Sequence, residues 1–263
     1  MFDINTLIGL FLAFLVGITL GLLGSGGSIL TVPILVYIIG INPIIATGYS
    51  LFIVGSTSLI GSIKNAYNKA ISYKAILFLG IPSILSVFVT RSYLLPLIPN
   101  IISIANFKLE KSTLIMLLFS IVMLTSATKM IINKNSQPVD NDSIPYLKLI
   151  FEGLFIGLIA GTVGTGGGFL IVPTLIFLVH LSTKQAIATS LAIITLQSLL
   201  GFLVDVNQIV VDWKLIISFS ILSIIGLLIG MVLSKKIDDT LLKKIFGYFV
   251  LFMSLFILFK ELI

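Results

Sequence analysis

The chain has no cysteine and few charged residues. Only 10% of its 263 residues are charged, whereas 58% are hydrophobic; a soluble domain of this length usually has about 25% charged residues. The missing cysteine excludes disulfides, thiolate chemistry and cysteine metal sites. The low charge, together with a mean hydropathy of +1.22, predicts an all-α polytopic membrane protein embedded in a lipid bilayer.

The positive net charge does not indicate nucleic acid as a partner. The formal charge is +6, from 16 Lys and Arg against 10 Asp and Glu, and the basic residues lie in loops between apolar runs. An excess of Lys and Arg is expected in the cytoplasmic loops of membrane proteins. The first ten residues, MFDINTLIGL, lack a basic region, so we expect no cleaved signal peptide.

The sequence contains an internal duplication. GLLGSGGSILTVPIL (21–35) and GTVGTGGGFLIVPTL (161–175) are identical at 8 of 15 positions, with an offset of 140 residues. The offset continues without a gap beyond these stretches, which indicates a gene duplication. We therefore predict a first membrane repeat over 1–132, a linker loop over 133–146 and a second membrane repeat over 147–263.

Each half contains four apolar segments, of which the first is too long for one membrane crossing. A spanning helix needs about 20 residues, and no charged residue occurs between 4 and 63. We expect the first segment of each half to break at its glycine cluster, as two short crossings or as a re-entrant hairpin. The segments are 5–39, 44–63, 74–97 and 112–131 in the first half and 147–179, 185–204, 214–233 and 243–259 in the second.

The distribution of basic residues favours the re-entrant hairpin with inverted halves. If each broken segment crosses once, the loops divide Lys and Arg evenly, eight on each side. If it returns to its starting side, eleven of the 16 lie on one side, which then faces the cytoplasm and leaves both termini outside. Two separate short crossings give the same division. The other side holds Arg91, Lys108, Lys111, Lys214 and Lys260.

A glycine-rich break in a membrane helix can form an anion site without charged side chains. A helix N-terminus presents backbone N–H groups without partners and carries a partial positive charge. Glycine lets the backbone approach a ligand and adopt positive φ. Because the apolar runs contain no Lys or Arg deep within them, we expect anion selectivity to come from N–H groups, hydroxyls and helix dipoles.

The paired Gly-x-Gly-Gly turns, each followed by Val-Pro, resemble the sulfite exporter TauE/SafE family, also called the TSUP permeases. The stretches ATGYSL (46–51) and AIATSL (186–191) extend the resemblance, which covers essentially the whole chain. It implies a bacterial or archaeal inner-membrane transporter of small sulfur-containing anions, such as sulfite, thiosulfate or short sulfonates. In this chain Gly168 takes the place of Ser28, so one turn has an extra hydroxyl.

We predict that the substrate binds near the midplane, between the two turns and the helices that follow them. The alternative for the glycines is helix packing, since small residues are common at helix contacts in membranes. The alternative for Ser50 and Ser190, which the family motif includes, is hydrogen bonding between helices. The amide of Gln197 is a further candidate donor. The predicted substrate-binding residues are Gly24, Ser25, Gly26, Gly27, Ser28, Tyr49, Ser50, Gly164, Thr165, Gly166, Gly167, Gly168, Ser190 and Gln197.

The remaining ionisable residues in or near the apolar runs have simpler interpretations. Glu152 follows Lys148 by one helical turn, which favours an interfacial ion pair over proton coupling. Asp205 is expected at the membrane interface, and Arg91 is expected to reach the interface with its long side chain. His180 lies in a short loop and is interpreted as solvated.

Enzymatic function is not expected. A serine protease would need a histidine beside its serine, and the single histidine lies in a loop; an aspartyl protease would need two intramembrane acids. No metal or cofactor motif and no ATP-binding motif is present, so transport would be driven by a gradient, with H⁺ or Na⁺ as the candidate coupling ion. The alternatives are a structural or assembly subunit of a membrane complex and a transporter of another small organic anion.

Overall fold

A computed structural model describes residues 4–24, 26–99, 101–104, 107–132, 146–234 and 239–262. Ser25 and most of the predicted linker lie outside the described residues. Six of the described helices are long and apolar enough to cross a membrane: Ile4–Leu23, Pro43–Tyr67, Tyr73–Leu97, Tyr146–Val163, Thr183–Asp205 and Trp213–Leu233. The predicted all-α polytopic fold is confirmed.

Within these ranges the elements follow one order in both halves. The first half comprises α1 (Ile4–Leu23), α2 (Gly26–Pro33, extended by a π-helical turn Ile34–Ile38), α3 (Pro43–Tyr67), α4 (Tyr73–Leu97) and α5 (Lys111–Ile132). The second comprises α6 (Tyr146–Val163), α7 (Gly168–Leu178), α8 (Thr183–Asp205), α9 (Trp213–Leu233) and α10 (Asp239–Leu262).

A short β-hairpin between α4 and α5 was not expected from the sequence. Its strands are β1 (Ile101–Ile104) and β2 (Phe107–Glu110), which pair antiparallel. The hairpin connects α4 to α5.

The first apolar segment breaks at its glycine cluster and folds back on itself. A Cβ atom added at Gly27 of α2 would lie 2.1 Å from the carbonyl oxygen of Val16 in α1, and one added at Gly9 would lie 2.7 Å from Cδ1 of Ile39. The chain therefore returns beside α1 towards the end where α1 began. The tip at Gly24 packs on Ile187, in the second turn of α8, so the hairpin ends against a helix of the other half.

The second broken segment, α6 and α7, has the same form. A Cβ atom at Gly167 would lie 3.0 Å from both Ala160 Cβ and Ile156 Cγ2 of α6, so the turn packs against the helix that precedes it. Both breaks therefore occur at the predicted glycine clusters, and each is followed by a short helix.

Helix packing between the halves is reciprocal. A Cβ atom at Gly17 in α1 would lie 2.0 Å from the carbonyl oxygen of Ser223 in α9. At the equivalent contact, a Cβ atom at Gly157 in α6 would lie 2.2 Å from the carbonyl oxygen of Ser83 in α4. The two glycines are 140 residues apart, as are the two serines. The packing alternative therefore fits the contacts of Gly17, and it also fits the close contact of Gly24 with Ile187 at the tip.

The equivalent helices α3 and α8 form the centre of the bundle and run in opposite directions. Close contacts pair Gly48 with Asp205, Gly55 with Leu199 and Gly61 with Leu191, so the number on one helix falls as the other rises. In the most apolar stretch of each of these helices, 67% of the residues are buried. This antiparallel pair positions the two hairpin tips on opposite sides of the centre.

Both described chain ends lie on one face of the bundle, here called the terminal face. Tyr37, in the turn after α2, donates a hydrogen bond of 2.8 Å from its hydroxyl to Oε1 of Glu261 near the end of α10. Ile39 contacts Gly9 near the start of α1. The segments that join α3 to α4 and α7 to α8 lie on the opposite face.

Candidate functional site

The two glycine turns use a backbone conformation that other residues rarely adopt. Gly24, Gly164, Gly166 and Gly167 have φ angles of 70°, 74°, 68° and 62°. These angles lie in the left-handed region, where a Cβ atom is unfavourable. The other predicted turn glycines are helical, since Gly26 and Gly27 open α2 and Gly168 opens α7.

The first turn is held by the helix of the other half. The hydroxyl of Ser190 in α8 lies 3.1 Å from the carbonyl oxygen of Gly24 and 2.9 Å from that of Ile187, and can donate to either. The N–H of Gly24 donates to the carbonyl oxygen of Leu20 at 2.8 Å and ends α1. Ser28 is fully buried behind this turn. Ser190 therefore contacts the first turn, and its bond also fits the alternative of hydrogen bonding between helices.

The second turn is held by an amide side chain. Nε2 of Gln197 donates a hydrogen bond to the carbonyl oxygen of Gly166, and its Oε1 accepts one from Ser83 at 2.5 Å. Gln197 thus lies at the turn, as predicted, but both ends of its amide bind the protein. The structure gives this residue the role of fixing the Gly166 backbone.

Buried hydroxyls without partners occur in the second glycine turn and in the central helices α3 and α8. Each is at most 1% exposed and has no hydrogen-bond partner among the described residues. An unpaired buried hydroxyl costs about 1–3 kcal/mol, so several together indicate a place for a polar ligand. The hydroxyls are those of Ser50, Thr57, Ser58, Thr165 and Ser198.

The hydroxyl of Ser198 lies directly at the second turn. A Cβ atom at Gly166 would lie 2.5 Å from Ser198 Oγ and 3.4 Å from Val54 Cγ1, near the middle of α3. Ser58 occupies the repeat-equivalent position in α3, 140 residues earlier. Neither serine was among the predicted site residues, although their match at the repeat offset was a signal that could have selected both.

The start of α7 adds backbone donors to the same place. Gly167 is the residue before the helix, and no side chain caps the first turn. An α-helix leaves N–H groups free at its N-terminus, where its dipole favours negative charge. Free N–H groups and hydroxyls together can bind an oxyanion without a neighbouring cation.

The hydroxyl of Tyr49, a predicted site residue, is engaged by backbone groups outside the two turns. Its hydroxyl donates to the carbonyl oxygen of Val210 at 2.9 Å and accepts from the N–H of Asp212 at 2.7 Å, so it holds the connection between α8 and α9. The equivalent Thr189 accepts from the N–H of Ser72 at 2.9 Å in the other half. Both residues have a structural explanation in these reciprocal bonds.

Arg91 and Asp205 form a buried ion pair, which corrects the sequence interpretation of both. Nη1 of Arg91 donates to Oδ2 of Asp205. The residues are 1% and 6% exposed, so neither lies at an exposed interface. The expectation that no Arg is buried in the core is also wrong. The partners are 114 residues apart, and no local pattern links them.

Glu152 does not form the expected ion pair with Lys148. Within the described part of the chain, the ion pair found joins Arg91 and Asp205; Glu152 is half-buried and Lys148 exposed. Helical spacing brings the two side chains to one face, but an exposed pair contributes little and need not form. His180 is exposed in the loop after α7, consistent with its interpretation as solvated.

Comparison with known proteins gives matches over nearly the whole chain. Residues 9–257 match the family described as Sulfite exporter TauE/SafE. A probable membrane transporter protein of Xylella fastidiosa is 28% identical over 94% of this chain and 92% of its own length. The probable membrane transporter protein MJ0441 of Methanocaldococcus jannaschii is also 28% identical, over 92% of this chain and 92% of its own length. The probable membrane transporter protein YjnA of Bacillus subtilis is 28% identical over 93% of this chain and 95% of its own length. No solved structure gives a significant match.

Proposed function

Because the chain belongs to the sulfite exporter TauE/SafE family of membrane transporters, we propose that it is a secondary transporter of small sulfur-containing anions. Sulfite, thiosulfate and short sulfonates are the expected substrates. The main supporting observation is the pair of buried, unpartnered hydroxyls of Thr165 and Ser198 at the second glycine turn. The relatives' names support transport but name no substrate.

A small oxyanion matches the donors at the turns. Ser198 and Thr165 each have an O–H without a partner, and the uncapped start of α7 adds N–H groups. A pyramidal or tetrahedral sulfur oxyanion exposes several acceptor oxygens within a small volume and can accept from all of these groups at once. Charge-assisted hydrogen bonds contribute roughly 1.5–3 kcal/mol each, so a few can offset the desolvation of the ion.

The binding site lies near the membrane midplane, between inverted halves. The antiparallel course of the equivalent helices α3 and α8 supports inversion, because a two-fold axis along the membrane normal would make equivalent helices parallel. Inverted repeats with broken helices that meet at the midplane are a common transporter design. The contact of Gly166 with Val54, near the middle of α3, is consistent with that depth.

The protein resides in the inner membrane of a bacterium or archaeon, with the terminal face outside. Relatives occur in both groups of organisms, and the topology predicted from the sequence assigns eleven of the 16 basic residues to the side opposite the termini. Without an ATP-binding motif, transport is driven by a gradient of H⁺, Na⁺ or the substrate.

Uptake by proteoliposomes tests the proposed function. Purified protein is reconstituted, and vesicles are assayed with labelled sulfite, thiosulfate and sulfoacetate beside acetate and phosphate. Saturable uptake of a sulfur anion is expected, with a higher KM in the Ser58→Ala and Ser198→Ala variants. Uptake of acetate or phosphate alone would identify another anion transporter, and no uptake at all would favour an assembly subunit.

Ser254→Ala is the matched control for the serine variants. Ser254 is also fully buried, but its hydroxyl donates to Leu251 of its own helix at 2.8 Å, in α10. This substitution removes the same atom far from the turns and should leave the KM unchanged. A KM increase in all three variants alike would indicate a general packing effect, and would argue against a site at the turns.

A further inference from the structure

The Arg91 guanidinium is only partly used by its ion pair. Nη1 binds Asp205, whereas Nε and Nη2 are buried and have no hydrogen-bond partner among the described residues. The neighbouring hydroxyl of Thr90 is also buried and unpartnered. Arginine presents its donors in a planar fork that matches an oxyanion in a bidentate arrangement. A buried cation with unused donors therefore indicates a polar ligand.

The ion pair lies next to the second glycine turn. A Cβ atom at Gly48 would lie 3.1 Å from Oδ2 of Asp205. The preceding residue, Thr47, contacts the turn, since a Cβ atom at Gly164 would lie 2.5 Å from Thr47 Cβ. Thr90 packs against α6 just before this turn, at Gly161. Arg91 therefore lies beside the same turn, towards the terminal face.

A second cation is enclosed near the end of α4. Lys111 at the start of α5 is 7% exposed and donates from Nζ to the carbonyl oxygen of Leu95 at 2.5 Å, one turn beyond Arg91. The carboxylates of Glu110 and Asp212 lie towards the same face. The unpartnered donors of Arg91, and not a net charge of the region, therefore indicate the ligand.

The second half lacks this arrangement. The positions equivalent to Arg91 and Asp205 at the repeat offset are Met231 and Asn65. Thr90–Leu94 forms a π-helical turn, while the equivalent part of α9 is regular α-helix. Single π-helical turns are frequent at functional sites. The buried ion pair therefore has no counterpart at the equivalent positions of the other half.

We propose that Arg91 is an anion-binding residue on the terminal-face side of the transport site, and that Asp205 is its exchangeable counter-ion. Nε–H and Nη2–H bind an oxyanion such as a sulfonate or sulfite, and the carboxylate occupies the guanidinium when the anion has left. Because an anion gains two donors beside Thr90, it can compete with the single bond to Asp205. This inference rests on the proposed anion transport and adds a charged residue to the uncharged turns.

The repeat supplies the substitutions for the test. Arg91→Met and Asp205→Asn introduce the residues that the other half has at these positions. The double variant removes both charges, so neither is left buried without a partner, and it is expected to melt near the wild-type temperature. The single Arg91→Met variant leaves a lone buried carboxylate and is expected to melt lower.

Two readouts are measured for each variant: the KM for sulfite and sulfoacetate uptake, and the rise in melting temperature that each anion causes in detergent. We expect the double variant to raise the KM about tenfold or more, in line with the loss of a charge-assisted bidentate contact, and to lose most of the anion-induced melting shift. Asp205→Asn is expected to show a larger shift than wild type, because its guanidinium has no competing carboxylate.

The two readouts separate this inference from the proposed function. If vesicles transport no sulfur anion but the anions still stabilise the protein through Arg91, the proposed function fails and the binding residue stands. If the double variant has the same KM and the same anion-induced melting shift as the wild-type protein, Arg91 only neutralises Asp205, and the inference is overturned. The absence of any melting shift in the wild-type protein overturns it as well.

Discussion

The hydroxyl of Ser190 lies 3.1 Å from the carbonyl oxygen of Gly24, which attaches α8 of the second half to the hairpin tip of the first. Its repeat equivalent, Ser50, is fully buried but has no hydrogen-bond partner among the described residues. Two residues that the duplication made equal therefore differ in their bonding. One fixes a turn, and the other has an unused donor.

This asymmetry predicts opposite effects for the two alanine substitutions. Ser190→Ala removes a hydrogen bond to the turn, so thermal unfolding in detergent should show a loss of about 1 kcal/mol. Ser50→Ala removes a buried hydroxyl without a partner, so stability should be unchanged or slightly higher, while the KM for sulfite uptake rises. A Ser50→Ala protein with wild-type KM would remove Ser50 from the site.

Gly167 should tolerate asparagine better than valine. Its φ of 62° is left-handed, a region that asparagine enters more readily than most residues and that β-branched residues avoid. We expect Gly167→Val to lose sulfite uptake and Gly167→Asn to retain a measurable part of it, at similar amounts of membrane-inserted protein. Wild-type uptake by both variants would show that the left-handed conformation is not required, whereas equal loss would point to the 3.0 Å contacts of a Cβ atom with Ala160 and Ile156.

The broken, all-helical fold could be predicted because its causes are local. Apolar length sets the spanning helices, and the glycine clusters mark the breaks at Gly24 and Gly164 as expected. The duplication also indicated which helices are equivalent. The β-hairpin between α4 and α5 was missed because its strands are only four residues long and give a weak periodic signal.

The candidate site could be predicted only in part, because partners distant in sequence decide each role. Tyr49 matched the family motif, yet its hydroxyl is engaged by the backbone at Val210. Arg91 and Asp205 each looked interfacial alone, and only the packing of α4 against α8 makes them a buried pair. Sequence spacing predicted the Lys148–Glu152 pair wrongly, since spacing permits such a contact without requiring it.

Glu152 is predicted to be dispensable for substrate binding. It is half-buried, forms no ion pair within the described residues and lies on α6 about three turns before the second glycine turn begins. A Glu152→Gln protein should therefore keep the wild-type melting shift with sulfite. If protons are coupled through this residue, uptake will lose its pH gradient dependence while binding persists. Loss of the melting shift would place Glu152 in the site.

The orientation of the terminal face can be measured directly because the chain has no cysteine of its own. Val210, between α8 and α9, is 87% exposed on the terminal face, and Tyr67, at the end of α3, is 85% exposed on the opposite face. Single Val210→Cys and Tyr67→Cys variants then each provide one thiol, and neither position contacts the turns.

With the termini outside, a membrane-impermeant maleimide added to intact cells or spheroplasts should label Val210→Cys alone. After permeabilisation both should react, which controls for thiol accessibility. Labelling of Tyr67→Cys alone in intact cells would reverse the orientation, and labelling of both would contradict the re-entrant topology.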